Sequence, residues 1–228
     1  MKTMRLIILA ALTAVSMSTM AQVDDWDGIY QDTTSKSKKT SYSSGGERFS
    51  TLYVQYHPTT LHASYNGHTE NTTYNAFSLG LSNTFPLVNA LMLEVGFKGQ
   101  YLFHSESEDG VDEKAYFIAA TIPANLVYSI EVNGEDFTID PYAGLFMRGN
   151  IVGKNKLESG GKSVDYDFFK DDDMGGRAYK RFQFGFQAGV KARINNQFTF
   201  GGGYWMDIEK ITDHVNFQGF DITLGYIF

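Results

Sequence analysis

The side chains able to do chemistry are few, and they gather outside the apolar stretches. His57, His62, His68, His104 and His214 all fall where alternating apolar sequence gives way to polar sequence. Carboxylates crowd nearby, as Glu106, Glu108, Asp109, Asp112 and Glu113, then Asp165, Asp167, Asp171, Asp172 and Asp173. Imidazole and carboxylate together suit a divalent metal. No HExxH or comparable spacing is present. The Asp171-Asp172-Asp173 run offers part of a calcium ligand set without the glycine and distal glutamate of an EF-hand loop. Hydrolysis at a lipid surface needs a serine, a histidine and an acid that converge. His104-Ser105-Glu106 comes nearest. Neighbours on a strand point to opposite faces, which separates His104 from Ser105. No catalytic residue, metal ligand or cofactor site is therefore assigned, and these residues are expected in solvated loops.

The elements that would carry them are strands. Phe182, Phe184, Phe186, Ala188, Val190, Ala192 and Ile194 alternate with Gln183, Gly185, Gln187, Gly189, Lys191 and Arg193. Comparable two-residue periods run through 74–86, 91–104, 197–208 and the closing Phe220-Asp221-Ile222-Thr223-Leu224-Gly225-Tyr226-Ile227-Phe228. Such a period places one set on each face of a sheet. Eight strands are predicted at about 48–57, 74–86, 91–104, 114–130, 137–150, 181–194, 197–208 and 217–228. The intervening segments alternate in length. Residues 58–73, 105–113, 151–180 and 209–216 are the longer, and 87–90, 131–136 and 195–196 the shorter. Asn133-Gly134 and Asn195-Asn196 are good turn dipeptides. Ser159-Gly160-Gly161 predicts a small hairpin inside 151–180, and Pro123 predicts a bulge within its strand.

Size decides which face is inside. An eight-stranded cylinder has room only for side chains to fill it. The Phe, Tyr and Leu face is too bulky for that space, whereas the Gly, Ser and Thr face fits. Charge agrees with this. Glu94, Asp140, Asp207 and Asp221 share the small-residue face with Lys98, Arg148, Lys191 and Arg193, a balance suited to a buried paired network. The bulky face carries no mid-strand charge. A soluble carrier barrel would have the opposite polarity. The expected fold is thus an all-β, eight-stranded antiparallel up-and-down transmembrane β-barrel, its lumen plugged by salt bridges. Tyr53, Tyr56, Tyr101, Tyr116, Tyr128, Tyr204, Trp205 and Tyr226 supply candidates for interfacial girdles, Trp205 having inward parity.

Residues 1–21 read as a signal peptide. Lys2 and Arg5 precede an apolar run from Leu6 to Val15, and Thr19-Met20-Ala21 gives small cleavage-site residues. That run is short of the roughly 20 residues a membrane helix needs. Removing 1–21 takes the net charge from −7 to −9, a poor balance for nucleic acid. Residues 22–47 read as a flexible periplasmic segment, and 48–228 as the barrel. The chain has no cysteine, which excludes disulfides, thiolate metal sites and a lipidated Cys.

Tyr116 to Tyr128, Pro141 to Lys154, Phe182 to Val190, Phe198 to Trp205 and the terminal strand together resemble the PorT-like outer membrane β-barrel domain family of Bacteroidetes. The resemblance spans about residues 48–228. It implies a Gram-negative outer membrane location and a fold, and brings no catalytic residue with it. The terminal strand is also similar to the signal read by the barrel assembly machinery. Expected partners are that machinery, outer membrane lipids and lipopolysaccharide, with the longer loops facing outward.

Overall fold

The computed structural model describes residues 48–65, 68–108, 110–132, 136–170, 178–212 and 215–228. The expected signal peptide, the 22–47 segment, Asn133-Gly134, the Asp171-Asp172-Asp173 run and His214 lie outside these residues. Among the described residues no helix is long and apolar enough to cross a membrane.

The strands in chain order are β1 (Phe49–Tyr56), β2 (Thr59–Tyr65), β3 (His68–Val88), β4 (Leu91–Glu108), β5 (Val111–Tyr128), β6 (Ile130–Glu131), β7 (Phe137–Ser159), β8 (Lys162–Asp167), β9 (Phe182–Ile194), β10 (Phe198–Asp207) and β11 (Val215–Ile227). All pairings among them are antiparallel, and the order β1-β11-β10-β9-β7-β5-β4-β3-β2 closes because β1 also pairs with β3. β1 and β2 form one stave, broken at His57-Pro58, where proline has no N–H to give the ladder. Counting that stave once, the described strands make an eight-staved barrel, with β6 and β8 as short additions to β7.

Closure leaves the staves no free edge, and the main chain satisfies its own hydrogen bonds. Short turns join the staves at one end. Asn195 and Asn196 both take positive φ (52° and 49°), as a tight hairpin requires and as asparagine tolerates. At the other end the strands run far past the predicted limits. The segment 58–73 is largely strand, with β2 and β3 pairing from Thr59↔Tyr74 to Tyr65↔His68. The segment 105–113 likewise belongs to β4 and β5, which pair out to Glu108↔Val111. The hairpin expected around Gly160-Gly161 is present, because β7 continues to Ser159 and returns as β8.

Pro123 causes no bulge. Pairing on both sides of it keeps one register, and Thr121, Pro123 and Asn125 all face inward. The irregularity falls between Ile118 and Ala119, opposite which Ile151 is the extra residue in β7. One added residue reverses the facing of everything beyond it. Inward positions in β7 include Thr138, Asp140, Tyr142, Phe146, Arg148 and Asn150 before Ile151, then Gly153 after it.

Candidate functional site: exterior, lumen and outer mouth

The exterior is apolar. Phe77, Leu79, Phe97, Leu145, Phe182, Phe184, Phe198, Phe200, Ile222 and Leu224 are exposed, while Ser78, Ser82, Glu94, Lys98, Gln183, Gln187 and Thr223 are buried. This is the polarity the sequence predicts and the reverse of a soluble carrier barrel. Rings border the belt at both levels. On one side Tyr56 meets Phe77 at 5.2 Å, Phe77 meets Phe103 at 6.3 Å, and Tyr101 meets Phe103 at 5.8 Å. On the other, Phe198 meets Tyr226 at 5.7 Å, Phe228 is exposed two residues on, and Tyr128 is exposed at the end of β5. Tyr116 and Tyr128 end this belt on β5. At about 3.3 Å per residue and about 45° of tilt, that stretch rises roughly 28 Å, close to the hydrocarbon thickness a membrane barrel must match. Tyr53 belongs to neither girdle. It points into the lumen, where it is 8% exposed.

Inside, the ions expected on the small-residue face come together, three of the four acids each with a base. Arg148 bonds Asp207 with both side chains buried. Lys191 donates to Glu94 at 2.6 Å, and Asn125 donates to the same carboxylate at 2.9 Å. Arg193 lies 3.3 Å from Asp140 and donates to Ser129, which in turn donates to Asp140. The fourth acid and base do not touch. Gln55 stands between them, accepting from Lys98 at 2.9 Å and donating to Asp221 at 3.2 Å. A primary amide can do both at once, so it carries the pairing across a gap the two charges do not span. Sequence parity gave no reason to single out Gln55.

Toward the long-strand end, the lumen changes character. Tyr74, Phe117, Phe146, Trp205 and Phe217 point inward and pack with Phe169, Ile211, Leu102 and Val215. Phe168 and Tyr179 cover them. Phe117 stacks on Phe168 at 4.7 Å, and Phe168 on Tyr179 at 5.0 Å. The segment is fastened by main-chain bonds from Phe168 to Gly153 and from Tyr179 to Phe168. Burial holds the Tyr179 hydroxyl above its ordinary pKa. The salt bridges expected in the lumen are thus joined by an aromatic layer that the sequence reading did not include. An aromatic plug closes the half toward the long strands, and Arg148 forms the joint between the two layers. Its guanidinium sits 5.2 Å from the Trp205 ring and 5.4 Å from that of Phe217.

Little space remains. A cavity of about 30 Å³ lies among Tyr53, Gln55, Glu94, Lys98, Tyr142 and Lys191. A second of about 10 Å³ lies between Lys98, Gln100, Arg148 and Trp205. Volumes of this size hold a water or two.

The histidines are not all at the rim. His57 is 1% exposed inside the barrel, edge-on to Trp205 at 6.2 Å and 3.5 Å from Gln100. His62 contacts Gln218. His104 packs on Tyr74 at 5.3 Å, bonds the Thr73 carbonyl at 2.8 Å and lies 3.3 Å from Glu106. Ser105 is exposed on the other face of β4, so serine, histidine and acid do not converge. Among the described residues no group of three or more His, Asp or Glu is arranged to hold a metal ion.

A closed barrel with an apolar exterior, aromatic girdles and an ionic interior is an integral β-barrel of a Gram-negative outer membrane. No protein-family model and no curated protein matches the chain. Among solved structures, the chain is similar to Ail, the attachment invasion locus protein of Yersinia pestis, at 17% identity and TM-score 0.48, over 80% of this chain and 99% of that one. Neisserial surface protein A gives 17% identity and TM-score 0.40, over 77% and 96%. The outer membrane enzyme PagL gives 13% identity and TM-score 0.39, over 74% and 97%. At these scores the likenesses carry no inference about ligand or activity.

Proposed function

We propose that this chain is a non-enzymatic outer membrane scaffold of the PorT-like kind, with a closed lumen and a projecting outer surface used for binding. The observation that carries the reading is the filled interior. Ion pairs occupy its inner half, an aromatic plug its outer half, and the two small cavities left hold a water or two. What remains for function is the outside. β4, β5, β7 and β8 continue past the girdle as a four-stranded sheet, and β3, β2 and the start of β11 as a second, three-stranded one. Lipopolysaccharide is the partner that surrounds such a surface. Barrel assembly through the β11 strand belongs to the same reading.

Planar-bilayer recording of the purified barrel tests it. The expected trace shows no stepwise conductance; steady porin-sized steps would overturn the closed-lumen reading. Mass spectrometry of lipid A incubated with the protein covers the rim-hydrolase alternative. Intact lipid A is expected, and acyl loss abolished by Ser105→Ala would reinstate an enzyme.

A further inference from the structure

Just above the outer girdle, three ammonium groups face the same side as the apolar belt. Lys114 on β5 lies opposite Lys156 on β7, and Tyr116 of the girdle lies opposite Lys154. All three lysines are exposed. The bulge at Ile151 is what aims two of them. Without that extra residue, Lys154 and Lys156 would have the inward facing of Arg148 and Asn150.

Like charges directly across a ladder repel one another. Partners inside the protein relieve only part of this. Lys156 bonds Glu158, and Asp165 and Asp167 of β8 lie opposite Lys156 and Lys154. Asp112, opposite Glu158, completes the acids on this face. Lys114 and Lys154 have no ion pair among the described residues. The lysines form a column two strands wide that starts at the girdle, with the acids above it and on its β8 side. An anion reaching it from the membrane meets the lysines first.

We infer that Lys114, Lys154 and Lys156 bind the phosphate groups of the outer-leaflet glycolipid. This rests on the outer membrane placement above and assigns a site to the lipopolysaccharide contact proposed there. The ligand is a phosphorylated glucosamine lipid and not free phosphate. The column is continuous with the acyl-facing belt, so a molecule carrying both parts can occupy both. Ammonium groups on flexible stems suit headgroup phosphates at this depth, and basic residues beside an anionic membrane surface add their attractions.

The test uses the full barrel isolated from outer membranes into detergent and titrated with hexa-acylated lipid A bearing two phosphates. Replacing all three residues (Lys114→Gln, Lys154→Gln, Lys156→Gln) is expected to weaken binding about tenfold or more. The corresponding arginine variant should restore it. Dephosphorylated lipid A should bind the unaltered protein as weakly as the glutamine variant binds the phosphorylated form. Equal affinities for the glutamine variant and the unaltered protein, or for the two lipids, would overturn the site. Displacement of lipid A by millimolar inorganic phosphate would overturn the assignment to a lipid. Gel mobility before and after boiling is recorded for each variant. A fold-dependent shift with lysine-independent binding defeats this inference alone, whereas loss of the shift in the unaltered protein defeats the barrel reading beneath it.

Discussion

Arg148 is where the chemistry of the interior is concentrated. Its charge is met by Asp207, its donors also reach Gln183, and three aromatic rings lie over it. A buried pair of this sort contributes little net stability against an apolar substitute, but removing one member leaves a charge with nothing to face. Asp207→Asn is therefore expected to destabilise the folded barrel by about 3–5 kcal/mol. Arg148→Met combined with Asp207→Leu should recover most of that loss. Urea titrations of the refolded protein in detergent measure both. A double variant as unstable as the single one would show that the ions themselves are required. That Glu94, Asp140, Asp207 and Asp221 share the inward face with four bases was legible from parity, because a narrow lumen forces charges to balance; which acid meets which base was not. Gln55 was not legible, since nothing in an amide's position announces that it spans two charges. His57 was misplaced for a similar reason. It precedes proline and a polar stretch, yet the stave resumes at Thr59 and buries the ring.

At the scale of elements, the outer plug depends on a close approach. A side chain at Gly153 would meet Phe169 at 2.7 Å and Phe117 at 2.8 Å. Gly153→Val is expected to cost about 1–3 kcal/mol through overpacking and to lift the segment that carries Phe168 and Phe169. Chymotrypsin should then cut after these phenylalanines faster than in the unaltered protein. Unchanged cleavage would mean the plug closes without that contact. The strands β9, β10 and β11 could be read from sequence because bulky residues alternate with small or polar ones over most of their length. The plug could not. Phe168, Phe169 and Tyr179 lie in connecting sequence, and Phe117 sits between Tyr116 and Ile118, where both faces are apolar. β2 and the outer part of β3 were also hidden, because threonine, asparagine and histidine on both faces erase the period that marks a strand. The bulge at Ile151 had no marker, while Pro123, which has one, keeps the register.

For the whole molecule, the account divides matter by polarity, with bulk toward lipid and ions toward the axis. Leu81 lies in mid-belt, paired with Leu52 and Phe97, and all three are exposed. Leu81→Arg should destabilise the barrel in a bilayer by about 2–4 kcal/mol. The same change at a position facing water would cost almost nothing. The most direct measurement of this division uses the absence of cysteine from the chain. Single cysteines at Phe184, Phe200 and Leu224, and at Gln183 and Thr223, are exposed in lipid vesicles to a maleimide that partitions into the bilayer. The account predicts labelling from the lipid phase at the first three positions and none at the buried last two. Equal labelling in both sets, or labelling confined to Gln183 and Thr223, would contradict it.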